Sequence, residues 1–144
     1  MTLPATGDAA GAPTGMARVR FLDHRGQRIV LLDFHGITDP AQGFAAAEEA
    51  RAFIAKLPAD GSHFTLTDLR DTRYDREVAA KFRELTAHNR PYVRAAAVVS
   101  DSPIQRAAIS MIALATRRKL GVFETREEAL AYLSAERARA APTP

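Results

Sequence analysis

Six consecutive residues between two apolar runs carry the densest chemistry in the chain: Asp68, Leu69, Arg70, Asp71, Thr72 and Arg73. Two carboxylates three positions apart in one loop could hold a divalent cation or share acid–base work. The Thr72 hydroxyl beside them could accept a phosphoryl group. However, a Mg²⁺ site normally recruits substrate phosphates as well, and no glycine-rich phosphate loop or P-loop lysine accompanies these acids. Arg70, Arg73 and Arg76 interleave with them, which fits a local ion-pair network better than a catalytic site.

The other reactive side chains are dispersed. His24, His35, His63 and His88 never take the spacing of a zinc motif, and there is no cysteine to serve as thiolate, metal ligand or disulfide partner. A Ser-His-Asp set could be assembled on paper, but no G-x-S-x-G turn marks a nucleophile. Asp33 sits inside an apolar run. An unpaired buried carboxylate is costly, so this one is expected to accept hydrogen bonds at a strand end; a ligand contact is the other reading. The sequence indicates no cofactor and no metal, and the chain is expected not to be an enzyme.

Twenty basic against seventeen acidic residues leave a net charge of +3, with the bases scattered among acids. Such an excess gives a weak preference for anions but does not indicate nucleic-acid recognition. The longest strongly apolar stretch, Ile109 to Thr116, falls far short of the ~20 residues a membrane span needs. Residues 1–16 hold Ala, Gly, Thr and Pro without Lys or Arg, and read as a flexible tail rather than a secretory signal; 138–144 read the same way. A cytoplasmic location is the simplest expectation.

These side chains must be positioned by the elements around them, and 17–137 reads as one domain. Val19 to Leu22 opens a strand closed by the turn His24-Arg25-Gly26-Gln27. Ile29 to Phe34 is apolar on both faces, as a doubly covered strand should be. Thr38-Asp39-Pro40 starts a helix carrying Phe44, Ala47, Phe53 and Ile54. His63 to Leu69 is a third strand, Asp75 caps a helix with Val78, Phe82 and Leu85 inward, and Ala95 to Val99 is a fourth strand. Ser102-Pro103 starts a helix that Gly121 is expected to end, past the basic cluster 117–119. Val122-Phe123 and the capping box Thr125-Arg126-Glu127-Glu128 follow. The order β-β-α-β-α-β-α-β-α predicts an α/β fold, with a mostly parallel five-stranded sheet and four helices on both faces.

The segments "LLDFHG", "FTLTDLRDTRYD", "NRPYVRAAAVVS" and "FETREEALAYL", taken together over about Val19 to Leu133, resemble the STAS domain in its SpoIIAA-like branch, often compared with the CRAL-TRIO fold. The resemblance implies a non-enzymatic regulatory module. In anti-sigma-factor antagonists of this fold, a kinase partner is bound and a Ser or Thr after the third strand is phosphorylated. Here the Asp-Ser-Ser-Gly-like switch segment is absent, and Thr72 is the one hydroxyl near that place.

Ligands of open parallel sheets bind outside the carboxyl ends of the strands. The binding-edge candidates are therefore Thr38, Asp39, Asp68, Asp71, Arg73, Ser100 and Ser102, although Thr38, Asp39, Asp75 and Ser102 could simply cap helices. The 102–119 helix is apolar nearly all round, which implies cover on more than one side or plain burial. Ile104, Ala108, Met111, Ile112 and Ala115 are expected to face the sheet. Ile109, Ala113 and Leu114 would then meet a partner. The sequence thus points to a non-catalytic regulatory or protein-interaction module of the STAS type, with a protein partner or a homodimer as its binding mode. The alternative is a carrier or sensor of a small apolar or acidic ligand, held between the 102–119 helix and the sheet.

Overall fold

A computed structural model of the chain describes residues 17–73 and 75–140. The tail expected over 1–16, Tyr74 and residues 141–144 lie outside the described residues. The chain opens with a hairpin of β1 (Val19–His24) and β2 (Gln27–Asp33). Its two-residue loop, Arg25-Gly26, has positive φ at both positions (51° and 80°). That is the type I′ geometry whose twist matches a hairpin, and glycine makes it inexpensive at the second position.

From β2 onward strands and helices alternate: α1 (Pro40–Ala55), β3 (His63–Asp68), α2 (Arg76–Asn89), β4 (Val93–Val99), α3 (Pro103–Thr116), β5 (Leu120–Phe123) and α4 (Arg126–Ala140). The five-stranded sheet has the order β1-β2-β3-β4-β5; β1 pairs antiparallel with β2, and the other neighbours pair in parallel. The element order and α/β class are those the sequence predicts.

This sequential order decides where the helices go. Each crossover steps one strand further in the same direction, so connections of one hand place α1, α2 and α3 on a single face. There Ala46, Ala50 and Ile54 of α1, Leu85 of α2 and Ile109 of α3 share a core with Val30, Leu32 and Val98. The opposite face is closed by α4, whose Ala129 and Leu133 pack on Ile29, Leu31, Leu66, Ala95, Ala97 and Val99. The uninterrupted apolar runs of β2 and β4 follow from this double cover.

The boundaries differ from the sequence reading in two places. First, α3 ends at Thr116, not at Gly121, because Arg117 turns into the left-handed region (φ 55°) and closes the helix. Gly121 instead lies inside β5, where a Cβ would come within 2.7 Å of the Phe123 ring and 3.3 Å of Tyr132. Second, α4 runs to Ala140, past the expected end at 137. Glu136 in its penultimate turn is buried and held by Lys119 at 3.5 Å and Arg139 at 3.0 Å, which ties that turn to the body.

The facing of α3 is the main correction. Ile109, expected at an interface, is 1% exposed and belongs to the core, whereas Ile104, Met111 and Leu114 are 77%, 67% and 76% exposed. The helix buries Gln105 and Ile109 and half-buries Ile112 and Thr116, a stripe rotated from the expected one. Ala113 is half-buried, and Leu114 does lie on the outer side as expected. The rotation has a local cause. The Ser100 hydroxyl, at the end of β4, donates to Gln105 Oε1, and Arg106 Nη1 donates to the Ser100 carbonyl at 2.8 Å. These polar anchors fix the first turn with Gln105 inward.

Candidate functional site

At the carboxyl end of the sheet, Asp33 of β2 and Asp68 of β3 are paired in register, both on the α4 face and both buried (1% and 0% exposed). Four arginines surround them. Asp68 accepts from Arg70 Nε at 3.0 Å, Arg70 Nη2 at 2.8 Å, Arg126 Nε at 2.8 Å and the Arg70 amide at 3.1 Å. Asp33 lies 3.5 Å from Arg126 and 4.0 Å from Arg20, accepts the His35 amide at 3.3 Å, and its carbonyl takes Arg18. Arg126, the first residue of α4, therefore straddles both acids.

Burial pushes the Asp68 carboxyl up. The hydrogen bonds from the Arg70 side chain and amide, and then from Arg126, outweigh that and hold it below the usual carboxylate range. Two buried carboxyl groups on adjacent strands are tolerable here because the surrounding arginines outnumber them.

Asp68 and Asp71 do not form a carboxylate pair, for Asp71 turns away into a positive φ of 56°. Its carboxylate meets His35 Nε2 at 2.8 Å, and its amide donates to Asp101 at 3.2 Å. The His35 hydrogen bond holds the exposed Asp71 carboxyl below its ordinary range. Among the described residues, no three His, Asp or Glu side chains gather in a way that could hold a metal ion. The loop is an ion-pair network, as its interleaved arginines suggested.

The remaining edge candidates separate by role. Asp39 caps α1 by accepting from the Ala41 amide, Asp75 caps α2 from Val78, and Ser102 caps α3 from Gln105. Thr38 is exposed and caps nothing; Arg73 is exposed, 3.4 Å from Asp75. Two candidates need correcting. Asp68 is enclosed by its arginines and Ser100 is wholly buried against Gln105, so neither presents itself at the edge. Thr72 is half-buried, and its hydroxyl donates to the Leu69 carbonyl at 2.6 Å. Arg70, two residues before it, is engaged by Asp68.

Among the described residues, two apolar surfaces stand out. One is a cleft of about 70 Å³ between α1, α2 and the start of α3, walled by Phe34, Phe44, Leu69, Phe82 and Ile109, with Thr72 and Arg73 at its lining. It reaches the 102–119 helix only at Gln105 and Ile109. The other is the outer side of α3.

Sequence reasoning missed Arg126, Arg20 and Arg18 as partners of the acids, and missed Gln105 as an inward residue. One signal for the first was present: "LLD" and "LTD" both place Asp directly at the end of a strand, in step with each other. Among the described residues no helix is long and apolar enough to cross a membrane. No protein-family model matches the chain, and no curated protein matches it at a significant level.

Proposed function

We propose that this chain is a non-catalytic, STAS-like protein-interaction module whose docking face is the outer side of α3, and that its occupant there is a second copy of the chain. The observation that carries the reading is the stripe of Ile104, Met111 and Leu114, three large apolar side chains left mostly in solvent on one side of one helix. Exposed apolar groups clustered in this way mark association surfaces.

The ends of the stripe favour self-association. Exposed Asp101 lies just before α3 and exposed Arg117 just after it. In a two-fold antiparallel pairing the acid of one copy meets the base of the other, and the helix dipoles oppose favourably. Ala107, Ser110 and Ala115 beside the stripe are small and exposed, which lets two helices approach closely. In this reading Thr72 is the regulatory switch, and its phosphate would stand beside exposed Arg73 and the α2 N-terminus.

Static light scattering tests the docking face. The wild type is expected as a dimer at about 100 µM, and Met111→Asp as a monomer with unchanged circular dichroism, since a charge in the seam opposes association. A monomeric wild type at that concentration would refute the reading.

A further inference from the structure

The cleft between α1 and α2 is separate from the outer side of α3 and has its own chemistry. Gln105 lines it from the start of α3 and is 1% exposed. The Ser100 oxygen receives the Ser102 amide at 3.2 Å, and its single proton goes to Gln105 Oε1. That holds the amide oxygen toward Ser100 and turns the NH₂ group away from it. Gln105 Nε2 is then a buried donor without a hydrogen-bond partner, a condition that only His63 Nε2 shares among the described residues. Unpartnered buried donors are rare because each has given up its water for nothing.

The surroundings define what could satisfy it. The walls are Phe34, Phe44, Leu69, Phe82 and Ile109. The cations on the lining are already committed or in water: Lys81 lies 2.6 Å from Glu48 and 3.6 Å from Glu84, and exposed Arg73 pairs with Asp75. A carboxylate entering this cleft would lose its hydration without meeting a free buried cation. A lone water would find few of the partners it needs among aromatic and aliphatic walls. We propose that the cleft binds a small, uncharged, mostly apolar molecule bearing one hydrogen-bond-accepting oxygen, such as a ketone, ester or lactone, and that this oxygen takes the free N–H of Gln105.

The test is an NMR titration of the full chain with cyclopentanone, against cyclopentanecarboxylate as the charged counterpart. Cyclopentanone is expected to bind with a Kd on the order of millimolar, as its size allows, and to shift the Gln105 side-chain NH₂ resonances. Gln105→Leu should weaken it about tenfold, the worth of one neutral hydrogen bond. Because that change also strips Ser100 of its acceptor, Gly43→Leu serves as a second variant. Gly43 lines the cleft within α1, and a Cβ there meets nothing nearer than Ile37 at 3.7 Å. This variant should fold, fill the cleft and abolish binding. The proposal is overturned if the Gln105 NH₂ signals do not move, if Gln105→Leu binds equally well, or if the carboxylate binds as tightly as the ketone.

Discussion

Replacing Asp68 by Asn tests whether the acid–arginine cluster holds the carboxyl edge together. The carboxylate accepts four hydrogen bonds, two on each oxygen, and is wholly buried. An amide keeps one oxygen and turns a donor toward groups that only donate. Removing one member of a buried ion pair costs about 3–5 kcal/mol. Here Arg70 and Arg126 are each 32% exposed and can turn partly to water, so the lower end applies, about 3 kcal/mol at pH 7. In a domain of this size that lowers Tm by roughly 10–15 °C.

The effect should also depend on pH. The folded Asp68 carboxyl titrates below its unfolded value of about 3.9. Its contribution is therefore fully present above that value and is lost as pH falls through the lower, folded one. Urea unfolding of wild type and Asp68→Asn at pH 7 and near pH 2.5 gives both numbers. A difference under about 1 kcal/mol at pH 7, or one that stays constant into acid, would refute the reasoning.

Three further outcomes follow from the packing. Ile109→Ala should cost about 2–5 kcal/mol in chemical denaturation because Ile109 is core, and Ile109→Lys should yield unfolded protein by circular dichroism. Gly121→Ala, which drives a Cβ into the Phe123 ring, should cost about 1–3 kcal/mol in thermal unfolding; an unchanged Tm would mean that the ring moves freely. Phosphopeptide mapping after kinase treatment should find the phosphate on Thr72, and modification of Ser102 with Thr72 untouched would move the switch to another loop.

Local chemistry made most of the scaffold legible. Arg25-Gly26 dictates a hairpin, and Asp39-Pro40 and Ser102-Pro103 mark helix starts. Thr125 and Glu128 form a reciprocal capping box, with the Glu128 amide on the Thr125 hydroxyl at 3.2 Å and the Thr125 amide on the Glu128 carboxylate at 3.3 Å. The facing of α3 was not legible. Its sequence is apolar on nearly every side, so periodicity cannot choose a face, and the deciding residue, Gln105, is a polar group that pattern reading places outside. Only the fold shows that Ser100 captures it. The acid cluster was half legible. Asp33 was recognised as a carboxylate in need of partners, but Arg126 is far away in sequence, and nothing local announces that α4 begins over the ends of β2 and β3.

Disulfide trapping tests the central claim most directly, because the chain contains no cysteine of its own. In an antiparallel pairing centred near residue 109, position 104 of one copy lies beside position 114 of the other. The two 104 positions then sit about 15 Å apart, beyond the ~7 Å limit for a disulfide. Mixing Ile104→Cys with Leu114→Cys under mild oxidation should therefore give a covalent heterodimer, while either variant alone stays uncrosslinked. Monomers in every tube, or homodimers formed as readily as the mixed species, would contradict the account.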